Sequence, residues 1–408
     1  MYRCAFTVLL LMCVVQSGAW QPDSTLLKKH IRYLASNALK GRAPGTPGER
    51  KAATYIADYF ASLGLTPKGT DGYFQHFTYT LRSNPHDTSA AGPTCHARNV
   101  IAFLDNKAPK TIVIGAHYDH LGKDGRGASM EKKPKGKIHN GADDNASGTA
   151  GVLELARYYT QNDLTEPVNF LFMCFSAEEA GLIGSKHFVR NPTISISTLH
   201  AMINMDMIGR LSDTSQKLMI YGVGTGDIFV ETLKRINAGR FTLVMDSSGI
   251  GPSDQTSFYL AKVPVLHFFT GQHTDYHRAS DDARKINYAG ECKVLSYIAD
   301  VINEIANRPV RFAETAAPAG NKVSFKVTLG IMPDYAHQGK GIKIDAVHKD
   351  RPAHTAGIQA GDLILRLGDY DTLTMQDYMA ALAKFNKGDT TTATIQRGNK
   401  TLTLTIKF

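Results

Sequence analysis

The sequence predicts an α/β protein with a mostly parallel (mixed) central sheet flanked by helices, followed by a small β-rich module. Between about residues 99 and 307, short apolar runs alternate with stretches of helical period, a pattern typical of a parallel sheet buried on both faces. After residue 322 the pattern changes to short β-type runs around one helix. A length of 408 residues fits one large domain plus one small module.

The first 19 residues have the three parts of a secretory signal peptide. Arg3 supplies the positive end, Val8 to Val15 the apolar run, and Ser17 to Ala19 a small-residue cleavage site. That run is short for a membrane span, and no later segment approaches the roughly 20 apolar residues that a span needs. We therefore expect an exported protein, periplasmic or secreted, without a transmembrane segment.

The larger domain, residues 20–312, opens with two predicted helices at 24–39 and 46–64. The second begins with a capping box from Thr46 to Glu49, has Pro47 at its first position and stops at Gly64. Strands and helices then alternate. The predicted strands are 99–104, 111–116, 168–175, 199–205, 217–221 and 263–269, and the predicted helices are 145–162, 226–238, 253–262 and 285–307.

Residues 313–322 have the small, Pro- and Gly-containing composition of a linker. Beyond it, residues 323–408 form the second module. Its predicted strands are 324–329, 342–347, 363–367, 391–396 and 401–407, and its predicted helix is 374–385.

Charge and cysteine content exclude some functions. The net charge is +9, but the lysine and arginine residues are scattered except for a basic run at 132–137, so nucleic-acid binding is not indicated. That run is predicted to be a solvated loop or part of a pocket rim.

Cys174 lies in an apolar run and is predicted to be buried. Cys95 and Cys292 are then the remaining candidates for a disulfide, which the sequence neither requires nor excludes.

Metal-ligand residue types follow several of the predicted strands. His117 and Asp119 come after one strand, Glu178 and Glu179 after another, and Asp206 after a third. Asp143 lies in a Gly-rich loop, and His277 follows the last strand. Because ligands bind at the carboxyl ends of parallel strands, these side chains are expected to converge. Histidine nitrogen and carboxylate oxygen are zinc ligands, and this set suffices for two zinc ions and an activated water.

These segments, in this order over roughly residues 24–308, resemble the secreted co-catalytic di-zinc aminopeptidases, a family that also contains glutamate carboxypeptidase and the mono-zinc glutaminyl cyclases. The resemblance implies peptide substrates. It makes Glu178 the general base and Asp119 the carboxylate that orients a ligand histidine. The implied metal ligands are His117, Asp206, Asp143 as the bridge, Glu179 and His277.

The resemblance also implies a cis peptide between Asp143 and Asp144. One segment departs from the family pattern, since Gln255 follows Ser253-Asp254 where many members have histidine. That difference puts the side-chain preference in doubt rather than the metal ligands. Other histidines, including His120, are predicted to be structural or solvated. His139 is the exception that could belong to the site, because it lies in the loop before Asp143.

The last 85 or so residues resemble a PDZ domain. Leu329 to Met332 fits its carboxylate-binding loop, and Ala353 to Leu365 fits its most characteristic internal stretch. The resemblance implies either binding of a peptide or protein C-terminus or simple packing on the larger domain. The sequence thus predicts an exported zinc aminopeptidase; the alternatives are a glutaminyl cyclase-like transferase, a carboxypeptidase of the same family, or a binding protein that acts through its PDZ domain.

Overall fold

A computed structural model describes residues 20–81, 92–315, 327–333, 340–347, 351–373 and 375–408. The predicted signal peptide and residues 316–322 of the predicted linker lie outside these ranges. No helix among the described residues combines the length and the apolar composition that crossing a membrane requires.

A nine-stranded mixed sheet forms the centre of the larger domain. In chain order the strands are β1 (Thr66–Pro67), β2 (Phe74–Thr80), β3 (Thr94–Leu104), β4 (Thr111–His117), β5 (Gly122–Lys123), β6 (Ile138–His139), β7 (Asn169–Phe175), β8 (Leu199–Met205), β9 (Lys217–Tyr221), β10 (Thr242–Asp246) and β11 (Val265–Phe269). The order across the sheet is β1-β3-β7-β4-β8-β11-β9-β10, with β2 paired to β3, while β5 and β6 form a separate pair.

The four strands in the middle of the sheet, β7, β4, β8 and β11, are parallel to one another. Antiparallel pairings flank this centre, where β3 joins β7 and where β9 joins β11. The predicted mixed α/β architecture is confirmed. The sequence did not predict β2 or β10, whose mixed burial gives no continuous apolar run.

Helices cover both faces of the sheet. They are α1 (Ser24–Leu34), α2 (Pro47–Ser62), α3 (Gly148–Gln161), α4 (Ile183–Arg190), α5 (Phe229–Asn237), α6 (Gln255–Leu260) and α7 (Tyr288–Ala306). Along β7, Phe170 and Phe172 join the larger core, while Leu171 and Met173 join the core on the opposite face. Burial on both faces explains why this strand reads as one continuous apolar run.

The first predicted helix is shorter than expected. It ends at Leu34, and a 3₁₀ turn over Asn37–Arg42 follows. Lys40 and Gly41 have φ of 48° and 71°, in the left-handed region that interrupts a helix. A Cβ on Gly41 would collide with the carbonyl of His139, so only glycine fits this approach, and the turn carries Arg42 into the interior.

The C-terminal residues form a six-stranded sheet with its own apolar core. Its elements are β12 (Ile331–Pro333), β13 (Ile342–Val347), α8 (Pro352–Thr355), β14 (Leu363–Leu367), β15 (Tyr370–Asp371), α9 (Met375–Leu382), β16 (Thr390–Arg397) and β17 (Lys400–Lys407). The order is β12-β13-β14-β16-β17, with β15 paired to β14. The strand predicted at 324–329 is absent from its described part, residues 327–329, and the strand begins at Ile331 instead.

Three cysteines among the described residues, Cys95, Cys174 and Cys292, are free thiols. Cys174 is fully buried, as predicted, and Cys292 lies on α7 with its Sγ 3.6 Å from the carbonyl of Pro22. The disulfide that the sequence left open between Cys95 and Cys292 is therefore not formed in this structure.

Candidate metal centre and active site

The predicted site residues converge at the carboxyl ends of the parallel strands. His117 ends β4, Glu178 and Glu179 follow β7, and Asp206 follows β8 directly. Because β7, β4 and β8 are adjacent and parallel, their ends lie side by side at one edge of the sheet. The fold therefore brings together groups that lie far apart in the sequence.

One donor group forms around His117. Its Nε2 lies 3.3 Å from Oδ1 of Asp206 and 3.4 Å from Oδ1 of Asp144. Its other nitrogen, Nδ1, faces Asp119, 3.2 Å from the carbonyl oxygen and 3.7 Å from the carboxylate Oδ1. Partners on Nδ1 fix the ring so that Nε2 points at the two carboxylates.

A second donor group forms around His277. Its Nε2 lies 3.3 Å from Oδ2 of Asp144 and 3.2 Å from Oε2 of Glu179. Its Nδ1 lies 3.0 Å from the carbonyl of Ala128, and its own carbonyl accepts a hydrogen bond from the Met130 N–H at 2.9 Å. The loop that leads into the basic run therefore holds this histidine. The lysines at 132, 133, 135 and 137 are exposed and do not line the described pocket.

The spacing within both groups matches the geometry of zinc. Zinc ligands at about 2.0–2.2 Å in a tetrahedron lie about 3.3–3.6 Å from one another. The four nitrogen to oxygen separations in the two groups are 3.2–3.4 Å. Imidazole nitrogen with carboxylate oxygen is also the donor chemistry that zinc takes in catalytic sites. Each group therefore fits a zinc ion.

Asp143, which the sequence predicts as the metal bridge, is not the aspartate that the structure presents to both donor groups. Asp144 contributes one carboxylate oxygen to each group, whereas Asp143 belongs to neither. The Asp143 carboxylate accepts the Gly209 N–H at 2.7 Å and lies 3.1 Å from Nε2 of His273. The cis peptide is likewise one residue later than expected, between Asp144 and Asn145. Sequence alone could not decide which of two adjacent aspartates faces the cleft.

Asp119 connects two parts of the site. Its carboxylate accepts hydrogen bonds from the backbone N–H groups of Glu178 (3.1 Å) and Glu179 (3.4 Å), and it faces His117. The side chain is fully buried. Asp119 therefore holds the segment after β7 against the end of β4.

Adjacent Glu178 and Glu179 experience opposite electrostatic surroundings. Burial raises the pKa of Glu178 well above its usual range, with the charges of Glu179, Asp254 and Asp206 adding to the effect. Burial also acts to raise the pKa of Glu179, but His277 and His120 outweigh it and hold that pKa well below its usual range. These surroundings favour the ionised form of Glu179, which suits a metal ligand.

Three residues that support the site were not predicted from the sequence. His120, expected to be structural or solvated, places Nδ1 2.8 Å from Oε1 of Glu179. The carboxylate of Asp281 accepts the N–H groups of Asp143 and Asp144 at 3.0–3.1 Å, and burial raises its pKa to about 6. Among these, only His120 gave a signal, since it lies three residues after His117.

Arg42 is the third missed residue. Its fully buried guanidinium donates to the carbonyls of Tyr118 (2.7 Å), Asn140 (2.6 Å), Gly141 (2.9 Å) and Leu34 (2.5 Å). It thus ties the exit of β4 to the turn before Asp144. Burial lowers the pKa of Arg42 to about 10, so it remains charged at neutral pH. His139 lies outside both donor groups, with Nε2 2.7 Å from Oγ of Ser129.

A pocket with about 550 Å³ of empty space opens onto the two groups. The donor and catalytic candidates that line it are His117, Asp144, Glu178, Glu179, Asp206 and His277. The other lining residues are mostly apolar or aromatic: Met207, Tyr221, Pro252, His267, Phe269, Gln272 and Tyr276. No lysine or arginine lines this pocket within the described part of the chain.

The segment that departs from the family pattern lies behind the pocket wall. Pro252 lines the pocket, whereas Ser253, Asp254 and Gln255 are buried. Oε1 of Gln255 accepts from Asn204 Nδ2 at 3.3 Å. The substitution at this position therefore supports the wall rather than contacting the pocket directly.

Comparison with known proteins identifies both parts of the chain. The profile described as Peptidase family M28 matches residues 99–302, and the PDZ domain profile matches residues 321–408. Leupeptin-inactivating enzyme 1 of Streptomyces exfoliatus is 28% identical over 367 residues, covering 84% of this chain and 74% of its own length. Leucine aminopeptidase 1 of Coccidioides posadasii (strain C735) is 31% identical over 170 residues, covering 39% of this chain and 42% of its own length.

Among solved structures, a Zn-dependent exopeptidase from Parabacteroides distasonis superimposes with a TM-score of 0.57 at 17% identity, covering 71% of this chain and all of that one. This likeness concerns the fold of the larger domain. The profile match, by contrast, spans half of the chain and contains every residue of the two donor groups. The chain therefore belongs to peptidase family M28, the zinc metallopeptidases, and carries a PDZ domain at its C-terminal end.

Proposed function

We propose that this protein is an aminopeptidase that holds two zinc ions and removes N-terminal residues from peptides. One observation carries the proposal: Asp144 presents one carboxylate oxygen to the His117 group and the other to the His277 group. A shared carboxylate between two such groups is the arrangement of two-metal hydrolases. The first ion would be held by His117, Asp144 and Asp206, and the second by Asp144, Glu179 and His277.

The side chains of the site have different roles in the proposed reaction. When bound, the metal ions lower the pKa of a water molecule and stabilise negative charge on the substrate carbonyl oxygen. Glu178 lines the pocket beside both groups and accepts the proton from that water, then gives it to the leaving amine. Asp119 keeps Glu178 in place through the backbone and keeps His117 oriented.

The charge of the pocket favours an N-terminal over a C-terminal substrate residue. Four carboxylates line it, from Asp144, Glu178, Glu179 and Asp206, and no lysine or arginine of the described chain does. A free α-ammonium group is attracted to such a surface, whereas a terminal carboxylate needs a cation. An aminopeptidase is therefore favoured over a carboxypeptidase of the same family.

The apolar residues that line the pocket predict the preferred first residue. Met207, Phe269 and Tyr276 line it and belong to one hydrophobic cluster, which suits a large apolar side chain, whose burial contributes about 1.5–3 kcal/mol. We expect kcat/KM for the p-nitroanilides of leucine, methionine or phenylalanine to exceed that of glycine by at least about tenfold. N-acetyl-leucine p-nitroanilide is the matched control and should not be cleaved. Cleavage of the acetylated compound would remove the case for an aminopeptidase.

The glutaminyl cyclase alternative makes a different prediction about metal content. Cyclases of this family use a single zinc, whereas both groups here carry a full donor set at zinc spacing. Elemental analysis of the purified protein therefore separates the two functions. One zinc per chain, together with cyclisation of an N-terminal glutamine, would favour the cyclase.

The PDZ domain is proposed to bind the C-terminal end of a peptide. Strand β12 stands at the end of the strand order, so its outer edge has no partner strand among the described residues. PDZ domains bind a chain terminus as an added strand at such an edge, with the preceding loop holding the carboxylate. Gly330, with φ of 71°, gives that loop a turn that favours glycine.

Truncation after Thr315 tests this role. Thr315 is retained because its Oγ1 donates to Oη of Tyr259 at 3.0 Å. We expect the shortened protein to cleave leucine p-nitroanilide like the full chain, but to show a higher KM for longer peptides with a free apolar C-terminus. The same peptides with an amidated C-terminus should be cleaved equally by both proteins. An equal loss on small and long substrates would instead mean that the C-terminal residues stabilise the larger domain.

A further inference from the structure

We infer that His120 is a positioning residue for Glu179 and that it strengthens the binding of one zinc ion, the one held with His277. The inference rests on the proposed metal centre and adds to it a residue that the family resemblance did not assign. Its basis is the geometry of His120, Glu179, Asp144 and His277.

The distances show that His120 is a hydrogen-bond partner of Glu179 rather than a further ligand. His120 Nδ1 lies 2.8 Å from Oε1 of Glu179, an ordinary N–H to O hydrogen-bond length. Its separation from Oδ2 of Asp144 is 3.8 Å. Ligands sharing a tetrahedral zinc lie about 3.3–3.6 Å apart, so the first distance is too short and the second too long for His120 to share the ion.

The hydrogen bond assigns different tasks to the two oxygens of Glu179. Oε1 is occupied by the Nδ1–H of His120, and Oε2 is left 3.2 Å from Nε2 of His277, at ligand spacing. A carboxylate fixed through one oxygen cannot rotate away from the metal, and it loses less conformational freedom when the ion binds. His120 also meets the ring of His277 edge to face, with 5.8 Å between ring centroids.

Packing holds His120 in this position, because its side chain is fully buried. Its Nε2 has no hydrogen-bond partner among the described residues, so the contact with Glu179 is made through Nδ1 alone. A Cβ on Gly141 would lie 2.5 Å from Cγ and Cδ2 of His120, so the absence of a side chain there makes room for the ring. Arg42 fixes the backbone on both sides of that contact, at Tyr118 and at Gly141.

The test measures zinc affinity rather than turnover. Zinc bound per chain is followed by native mass spectrometry against a series of competing chelators for the full-length protein and its variants. Loss of such an outer partner typically weakens metal binding by about 10- to 100-fold. We therefore expect His120→Ala to bind the zinc ion held with His277 about 10- to 100-fold more weakly, so that a chelator of correspondingly lower zinc affinity removes it. The other ion should be retained as in the wild type.

His120→Asn should restore most of the affinity, because its amide Nδ2 can donate from nearly the position of Nδ1. His30→Ala is the matched control: His30 is also buried, with Nδ1 2.8 Å from Tyr55 Oη and an unpartnered Nε2, but it lies outside the site. It should leave both zinc affinities unchanged. If His120→Ala does not fold, His120→Gln, whose amide nitrogen is displaced from the Nδ1 position, should lose affinity that His120→Asn keeps.

The inference is overturned if His120→Ala holds both ions as tightly as the wild type, if both ions weaken equally, or if His120→Asn is no better than His120→Ala. Failure of the proposed function would look different. In that case the wild-type protein itself would not hold two zinc ions.

Discussion

Glu178→Gln is expected to lower kcat by about 100- to 10,000-fold while leaving the zinc content unchanged. Glutamine keeps the size of the side chain but cannot accept a proton from water. Glu178 belongs to neither donor group, so its replacement leaves all the proposed ligands in place. The experiment combines steady-state kinetics on leucine p-nitroanilide with elemental analysis of the same sample.

Glu179→Gln is the control for that experiment, because the two residues are adjacent and chemically identical. Its carboxylate contacts His277 and His120, so its replacement should lower zinc occupancy as well as activity. Near-normal turnover by a zinc-replete Glu178→Gln protein would show that another group accepts the proton. Zinc loss from that variant would instead make Glu178 a ligand.

Asp144→Asn is expected to have the second large effect, with fewer than two zinc ions per chain and activity falling in parallel. An amide has one oxygen in place of the two carboxylate oxygens, and it carries no charge. Because Asp144 faces both His117 and His277, the change weakens both ions at once. The measurement is zinc content after gel filtration, compared with hydrolysis by the same fractions.

Asp143→Asn separates this assignment from the one that the sequence favoured. The amide introduced by this substitution would still offer an oxygen to the Gly209 N–H, so the structure predicts a milder effect and near-normal zinc content. Full zinc occupancy in Asp144→Asn combined with zinc loss in Asp143→Asn would reverse the assignment and place the bridge on Asp143.

The sequence predicted the overall architecture because its strongest signals concern burial. The runs that became β4, β7 and β8 are apolar along their whole length, and buried parallel strands require this. Strand β2 alternates between buried and exposed residues and has no continuous apolar run, and helix α4 is only eight residues long. Such elements give a weaker local signal than a fully buried strand.

The sequence motifs predicted which segments form the site, but not how each side chain is oriented. His117, Glu179, Asp206 and His277 all line the same pocket. The choice between Asp143 and Asp144 depends on the direction in which a turn presents each carboxylate, and that direction is set by contacts with Gly209 and Asp281. Arg42 gave no local signal at all, because its partners are backbone carbonyls from distant segments.

The buried guanidinium of Arg42 shows that the active site depends on residues upstream of the family profile. The family profile starts at residue 99, yet the cation that joins the end of β4 to the turn before Asp144 comes from a segment well upstream of that boundary. A shortened gene product that starts at the profile boundary would leave the carbonyls of Tyr118 and Asn140 without their donor, in an interior that water does not reach. The N-terminal helices are therefore part of the enzyme's metal-binding scaffold rather than a dispensable extension.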